Sequence, residues 1–79
     1  MKIAAVDDEM HVLERFERII KNYKDVELCG LFEDGEELLA YLKDHTLDAV
    51  FLDIEMPGVS GLELSSPILD LNIEITIVF

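Results

Sequence analysis

Short apolar runs, each bounded by polar residues, recur four times along the chain and predict β-strands. The first run, Lys2 to Val6, ends at the three acidic residues Asp7 to Glu9, as a buried strand does on reaching a loop. The other three runs are similarly short and apolar. They are Val26 to Leu31, Asp48 to Ile54 and Glu74 to Phe79.

The segments between the first three runs have apolar residues at helical spacing. From Met10 to Tyr23 these residues lie three or four positions apart, with charged residues between them, which predicts an amphipathic helix. Asp8 and Glu9 are expected in its first turn, where negative charge suits the helix dipole. Asp34-Gly35 opens a second predicted helix, whose inner face carries Leu38, Leu39 and Leu42.

A third helix is predicted from about Gly61 to Leu71, but Pro67 lies inside it. Proline lacks the N–H that an interior helical position donates, at a cost of roughly 3 kcal/mol. We therefore expect either a kink at this position or a short helix with Ser66 as its N-cap and Pro67 as its first residue. The sequence leaves both alternatives open.

Strands and helices that alternate with short connections predict a parallel sheet with right-handed crossovers. The predicted fold is a flavodoxin-like α/β sheet with helices on both faces and the order βαβαβαβ. In that fold the first and third strands are neighbours, and ligands bind beyond their carboxyl ends. Asp7, Asp8 and Asp53 lie at those ends.

The composition agrees with one small globular domain. Of the 79 residues 51% are hydrophobic and 30% are charged, which differs from the composition of disordered chains. Eighteen acidic residues against six Lys and Arg give a net charge of -12, so this segment is not expected to bind nucleic acid or anionic membranes. Without a leader or a long apolar stretch, we expect a cytoplasmic protein whose Cys29 is a small buried residue.

Three carboxylates at neighbouring strand ends repel one another, and this repulsion favours a bound cation. Hard oxygen ligands with no histidine or cysteine among them select Mg²⁺ or Mn²⁺ rather than zinc, and Mg²⁺ is the physiological expectation. A carboxylate is also a known nucleophile that forms acyl phosphates. Asp53 is therefore the candidate phosphoacceptor. His11 is expected to face solvent, and His45 to interact with the end of the second helix.

The motifs Ala5-Val6-Asp7-Asp8-Glu9, Asp34-Gly35 and Asp48 to Gly58 resemble those of response regulator receiver domains, the CheY-like family of two-component systems. The resemblance implies that Asp53 accepts a phosphoryl group from the phosphohistidine of a sensor histidine kinase. It also implies that Asp8 binds Mg²⁺ directly, that Asp7 binds it often through water, and that the Glu55 backbone carbonyl is a further ligand. The segment is thus expected to be a phosphoacceptor and not an enzyme.

The segment Phe32 to Gly35 and the run Glu55 to Gly58 resemble regulators whose full proteins carry a DNA-binding output domain of the LytTR kind. The family also uses a Ser or Thr after the fourth strand and a Lys at the end of the fifth, and both positions lie beyond Phe79. Residues 1–79 are therefore expected to form an incomplete receiver that lacks the fifth strand and the last helices. Such a chain is expected to switch poorly.

Other function classes fit the sequence less well. A flavin or nucleotide site on this fold needs glycine and backbone N–H groups after the first strand, where Asp7-Asp8-Glu9 would repel phosphate. A haloacid-dehalogenase-like phosphatase would carry an Asp-x-Asp pattern there. A third alternative is a non-signalling association module, because Glu74 to Phe79 is expected to be an apolar edge strand that pairs with a second copy of the chain.

Overall fold

Four parallel strands form the sheet in the described part of the chain, which in this computed structural model comprises residues 1–53, 61–71 and 74–79. The strand order is β2-β1-β3-β4, and each neighbouring pair is parallel. The predicted flavodoxin-like topology is therefore confirmed. The strands are β1 (Lys2–Val6), β2 (Glu27–Phe32), β3 (Ala49–Leu52) and β4 (Thr76–Val78).

Three helices connect the strands: α1 (Met10–Ile20), α2 (Gly35–Leu42) and α3 (Gly61–Leu71). Successive side chains of a strand point to opposite faces of the sheet. On one face, alternate apolar residues of β1 and β3 pack on α2 and α3. This core includes ten buried residues: Ala4, Val6, Leu38, Leu42, Leu47, Val50, Leu52, Leu64, Ile68 and Ile75. The chain therefore places most of its described core on the α2 and α3 side.

Helix α1 covers the opposite face. Its Leu13 is buried, and the ring of Phe16 packs on that of Phe51 in β3 with centroids 5.0 Å apart. The helix ends earlier than predicted, at Ile20, and Tyr23 lies beyond it with 58% of its side-chain surface exposed. Leu13 and Phe16 therefore form the contact that the pattern predicted, and Tyr23 does not join it.

Helix α3 runs through Pro67 without a late start, so the predicted short helix with Ser66 as N-cap is wrong. The two residues that flank this position on the inner face, Leu64 and Ile68, are 4% and 0% exposed. Full burial of such side chains stabilises a fold by about 1.5–3 kcal/mol each, which offsets the roughly 3 kcal/mol that an interior proline costs. Tertiary packing therefore decides the start of this helix.

Helices α2 and α3 approach each other closely at Gly35. A Cβ at this position would lie 2.4 Å from the Cδ1 atom of Leu64, so the Leu64 side chain would have to move to make room for it. The glycine that opens α2 therefore allows Leu64 to reach the core between the two helices.

The ladder between β1 and β2 contains one irregularity. Leu28 is the partner of Ile3 and Gly30 is the partner of Ala4, so Cys29 is an extra residue in β2. This pattern is a β-bulge on an edge strand. Gly30 follows the bulge and has no Cβ, which leaves room for the ring of Phe32. A Cβ at this position would lie 2.6 Å from that ring.

The described helices are too short or too polar to cross a membrane within residues 1–53, 61–71 and 74–79.

Candidate functional site

Strands β1 and β3 are neighbours and place their carboxyl ends side by side. Val6, the last residue of β1, is the partner of Leu52, the last residue of β3. One residue further on, the N–H of Asp53 donates to the Val6 carbonyl at 3.1 Å, and the N–H of Asp7 donates to the Phe32 carbonyl at 3.0 Å. The ladder therefore continues through both aspartates and fixes where their side chains begin.

The structure brings together the three aspartates that the sequence singled out. Carboxylate oxygens of Asp7, Asp8 and Asp53 all lie within 4.8 Å of one another. Asp7 and Asp53 are half-buried, whereas Asp8 is exposed. Three carboxylates at this separation repel one another, and partial burial strengthens the repulsion.

The donor set fits a hard divalent cation. It consists of carboxylate oxygens with no imidazole or thiolate among the three residues, which matches Mg²⁺ and not zinc. The exposure of Asp8 leaves the cluster open to solvent, as suits an ion that retains several water ligands. Glu55, whose carbonyl was the fourth expected ligand, lies outside the described residues.

The loop after β1 differs from the prediction. Asp8 and Glu9 do not lie in the first turn of α1, because the helix begins at Met10 and Glu9 is its N-cap. Asp7 Oδ1 instead accepts a hydrogen bond from the Glu9 N–H at 2.9 Å. This short contact closes the loop locally, and Asp8, which lies between the two bonded residues, is exposed while its carboxylate stays within reach of Asp7 and Asp53.

The two histidines lie where the pattern placed them. His11 is on the surface, and its Nε2 lies 3.1 Å from an oxygen of Glu9, with 70% of the His11 side chain exposed. His45 lies beyond α2, where its Nδ1 is 3.0 Å from the Tyr41 carbonyl and its ring stacks on the Tyr41 ring. Neither residue belongs to the aspartate cluster.

An apolar cleft beside the cluster was missed from the sequence. It has a volume of about 140 Å³, and Asp7 and Asp53 line it together with Val12, Phe16 and Phe51. Val12 was not among the residues predicted for the inner face of the first helix, and Phe51 was predicted only as part of the third strand. Phe51 lies between Val50 and Leu52 in β3, so its side chain points to the opposite face of the sheet. A large apolar residue at such a position was the signal that the α1 face of the sheet is apolar as well.

Cys29 is half-buried rather than fully buried as expected. Its Sγ lies 3.6 Å from an oxygen of the Glu27 carboxylate. Burial, and then the nearby Glu27, raise the pKa of this thiol above its ordinary value. A raised pKa disfavours the thiolate, which is the reactive form of cysteine. Cys29 is also not among the residues of the aspartate cluster.

The chain is similar to known proteins along nearly its whole length. The model of the response regulator receiver domain matches residues 3–79. The transcriptional regulatory protein YpdB of Escherichia coli K12 is 35% identical over 68 residues, which cover 86% of this chain and 28% of YpdB. The sensory transduction protein LytT of Oceanobacillus iheyensis is 32% identical over 66 residues, covering 84% of this chain and 27% of LytT.

Among solved structures, the response regulatory domain of protein MrkE from Klebsiella pneumoniae has a TM-score of 0.87 and 33% identity. It covers the whole of this chain, and this chain covers 65% of it. The curated relatives named above are longer, and this chain spans just over a quarter of their length. The family model matches almost every residue, and both the fold and the similarity to LytT agree with it. This chain therefore belongs to the response regulator receiver domain family of two-component systems.

Proposed function

We propose that this chain accepts a phosphoryl group on Asp53 from the phosphohistidine of a sensor histidine kinase. Asp7 and Asp8, with the backbone carbonyl of Glu55, hold Mg²⁺ beside it. The observation that carries the proposal is the set of carboxylate oxygens of Asp7, Asp8 and Asp53 within 4.8 Å of one another, in a chain of this family.

In the proposed transfer, a carboxylate oxygen of Asp53 forms a bond to phosphorus as the P–N bond of phosphohistidine breaks. The imidazole of the donor, protonated at its other nitrogen, leaves with the electron pair of that bond. The product is an acyl phosphate on Asp53, and the chain is consumed one molecule per phosphoryl group, as a phosphoacceptor and not as an enzyme.

The residues of this chain orient the acceptor. The hydrogen bond from the Asp53 N–H to the Val6 carbonyl holds the backbone of Asp53 beside β1, one residue after the end of β3, and so fixes where its side chain begins. Phe51 and Phe16 line the neighbouring cleft together with Asp53, so apolar side chains flank one side of the carboxylate. When bound, Mg²⁺ would supply positive charge that offsets the repulsion between the phosphoryl oxygens and the carboxylates.

In the whole protein, we propose that this receiver controls a DNA-binding output domain. The support is the printed name of a relative, transcriptional regulatory protein YpdB, and the solved structure of the response regulator RcsB from Salmonella enterica bound to promoter rprA. RcsB is 25% identical to this chain with a TM-score of 0.88. The acidic segment described here has no basic surface for DNA, so that role belongs to another domain.

The test uses beryllofluoride, a mimic of the phosphoryl group, with Mg²⁺. In the intact protein, NMR signals of the residues around Asp53 are expected to shift in a saturable manner, and a phosphodonor is expected to add the mass of one phosphoryl group. Asp53→Asn should lose both effects. Asp48→Asn is the matched control, because it makes the same substitution at the other end of β3. Equal labelling of Asp53→Asn and the unaltered protein would contradict the proposal.

A second candidate function is association through β4. This strand pairs only with β3 among the described residues, and Val78 and Phe79 are 36% and 51% exposed. An apolar edge strand presents unpaired backbone groups to a second chain. Light scattering tests the idea, since a monodisperse monomer at high protein concentration would contradict it, whatever happens at Asp53.

A further inference from the structure

Charge is distributed very unevenly between the two ends of the sheet. We name the end at which β1 and β3 finish the acidic end. This end contains the carboxyl ends of the strands and the loops that follow them. It also contains the first turns of α2 and α3, because each helix runs antiparallel to the strands that it connects. It carries nine of the eighteen acidic residues: Asp7, Asp8, Glu9, Glu33, Asp34, Glu36, Glu37, Asp53 and Glu63.

The six Lys and Arg residues all lie away from this end. Lys2 begins β1, Lys43 is the C-cap of α2, and Arg18 lies in the last turn of α1. Lys21 and Lys24 follow that helix, and Arg15 lies in its middle. The segments 54–60 and 72–73 contain no Lys or Arg in the sequence. No Lys or Arg of the described residues therefore lies in the strand ends, the loops after them or the first helical turns at the acidic end.

We infer that the Asp53 site selects its phosphodonor by charge, and that it is built for a donor protein with a basic surface around its phosphohistidine. The inference rests on the proposed function. A phosphoryl group is itself an anion, and a cleft lined by one sign of charge repels ligands of the same sign and concentrates those of the other. One divalent cation offsets only two of the nine negative charges, so the remainder favours cations on the donor.

A second feature indicates a protein donor rather than a small cationic one. Met10 and Val12, in the first turn of α1 beside Asp8 and Glu9, expose 49% and 37% of their side chains. Val12 lines the same apolar cleft as Asp7 and Asp53, so a protein donor that reaches Asp53 can bury this surface, whereas a small phosphodonor leaves it in water. The apolar area and the acidic rim together match a partner with an apolar centre and basic margins.

The experiment compares three donors with the intact protein and Mg²⁺. Two are synthetic phosphohistidine peptides that differ only in their flanking residues, lysines in one and glutamates in the other, and the third is acetyl phosphate. Transfer is followed by intact mass at low and at high sodium chloride concentration. We expect the lysine-flanked peptide to react about tenfold or more faster than the glutamate-flanked peptide at low salt.

Salt is expected to act in opposite directions on the donors, because screening weakens attraction and repulsion alike. Transfer from the lysine-flanked peptide should slow as salt rises, and transfer from acetyl phosphate should become faster. Glu36→Lys, which reverses one exposed charge at the acidic end, should reduce the ratio between the two peptides. Asp70→Lys makes the same change of charge in the last turn of α3 and should leave the ratio largely unchanged.

Equal rates with the two peptides at low salt would overturn this inference and leave the proposed function standing. Equal effects of Glu36→Lys and Asp70→Lys would also overturn it, because the net charge of the chain and not the acidic end would then be responsible. The absence of transfer from all three donors would overturn the proposed function, and this inference with it.

Discussion

Strand β3 has an aspartate at each end, and the two side chains lie in opposite environments. At the amino end, Asp48 Oδ2 accepts a hydrogen bond from the Lys2 backbone N–H at 2.6 Å, which ties the start of β1 to the start of β3. At the carboxyl end, Asp53 lies with two further carboxylates within 4.8 Å. The same residue type joins two strands by a hydrogen bond at one end and lies in a cluster of like charges at the other.

The comparison shows how position on a parallel sheet separates structural from functional carboxylates. Backbone groups at the amino end are joined by hydrogen bonds such as that from the Asp48 N–H to the Lys2 carbonyl at 2.7 Å. The acidic end accumulates like charges, and a bound cation or a cationic partner would reduce the repulsion between them. Four predictions test this contrast, beginning with the largest effect.

Mg²⁺ is expected to stabilise the protein. At a concentration 100-fold above its dissociation constant, a ligand that binds only the folded state raises the free energy of unfolding by about 2.7 kcal/mol. Urea titrations with and without the ion measure this. In Asp8→Asn the gain should be much smaller, whereas Asp48→Asn, with the same loss of charge at the amino end, should retain it. An equal gain in all three proteins would contradict the assignment of Asp8.

Asp48→Ala is expected to lower the free energy of unfolding by about 1.5 kcal/mol, because a hydrogen bond to a charged acceptor is lost between β1 and β3. Asp48→Asn is the control, since its side-chain oxygen can still accept from Lys2. Urea unfolding followed by circular dichroism gives both values. If the asparagine variant lost as much stability as the alanine variant, the charge and not the hydrogen bond would be responsible.

Asp34→Ala tests whether every carboxylate at the acidic end is functional. Asp34 is the N-cap of α2, and its Oδ1 accepts from the Glu37 N–H at 2.9 Å. Loss of such a cap costs about 1 kcal/mol. We expect that loss in urea unfolding, with Asp34→Ser close to the unaltered protein and Mg²⁺ affinity little changed in both. A large fall in Mg²⁺ affinity would place Asp34 in the metal site.

The smallest effect concerns Cys29 and Glu27. Burial and the Glu27 carboxylate raise the pKa of the thiol, so the rate of alkylation should rise at higher pH than it does for a free cysteine peptide. Glu27→Gln removes the neighbouring charge and should move the rate profile part of the way back toward lower pH. The measurement is the rate of reaction with iodoacetamide across a pH series. An unchanged profile would leave burial as the whole cause.

Much of the fold follows from the pattern of apolar residues. Lys2–Val6 and Gly61–Leu71 were predicted with the observed bounds, and the strand order follows from the rules for parallel sheets. The errors lie at ends where tertiary contacts decide. Tyr23 has the spacing of the apolar residues of α1, but the helix ends before it, at Ile20. Pro67 lies inside α3 because Leu64 and Ile68 are buried on either side of it.

The proximity of three of the candidate site residues was predictable, whereas the roles assigned to them stay predictions. Two strand ends that must be neighbours placed Asp7, Asp8 and Asp53 together, and the structure does bring them together. Details that depend on loop conformation were not predictable. The spacing of charges placed Asp8 and Glu9 in the first turn of α1, whereas the hydrogen bond from the Glu9 N–H to Asp7 ends the loop one residue before the helix begins.

The bulge at Cys29 has a consequence for self-association. It interrupts the regular spacing of β2 at one outer edge of the described sheet, and a bulged edge is a poor template for an added strand. Among the described strands, β2 is therefore the edge less suited to pairing in register with a second chain.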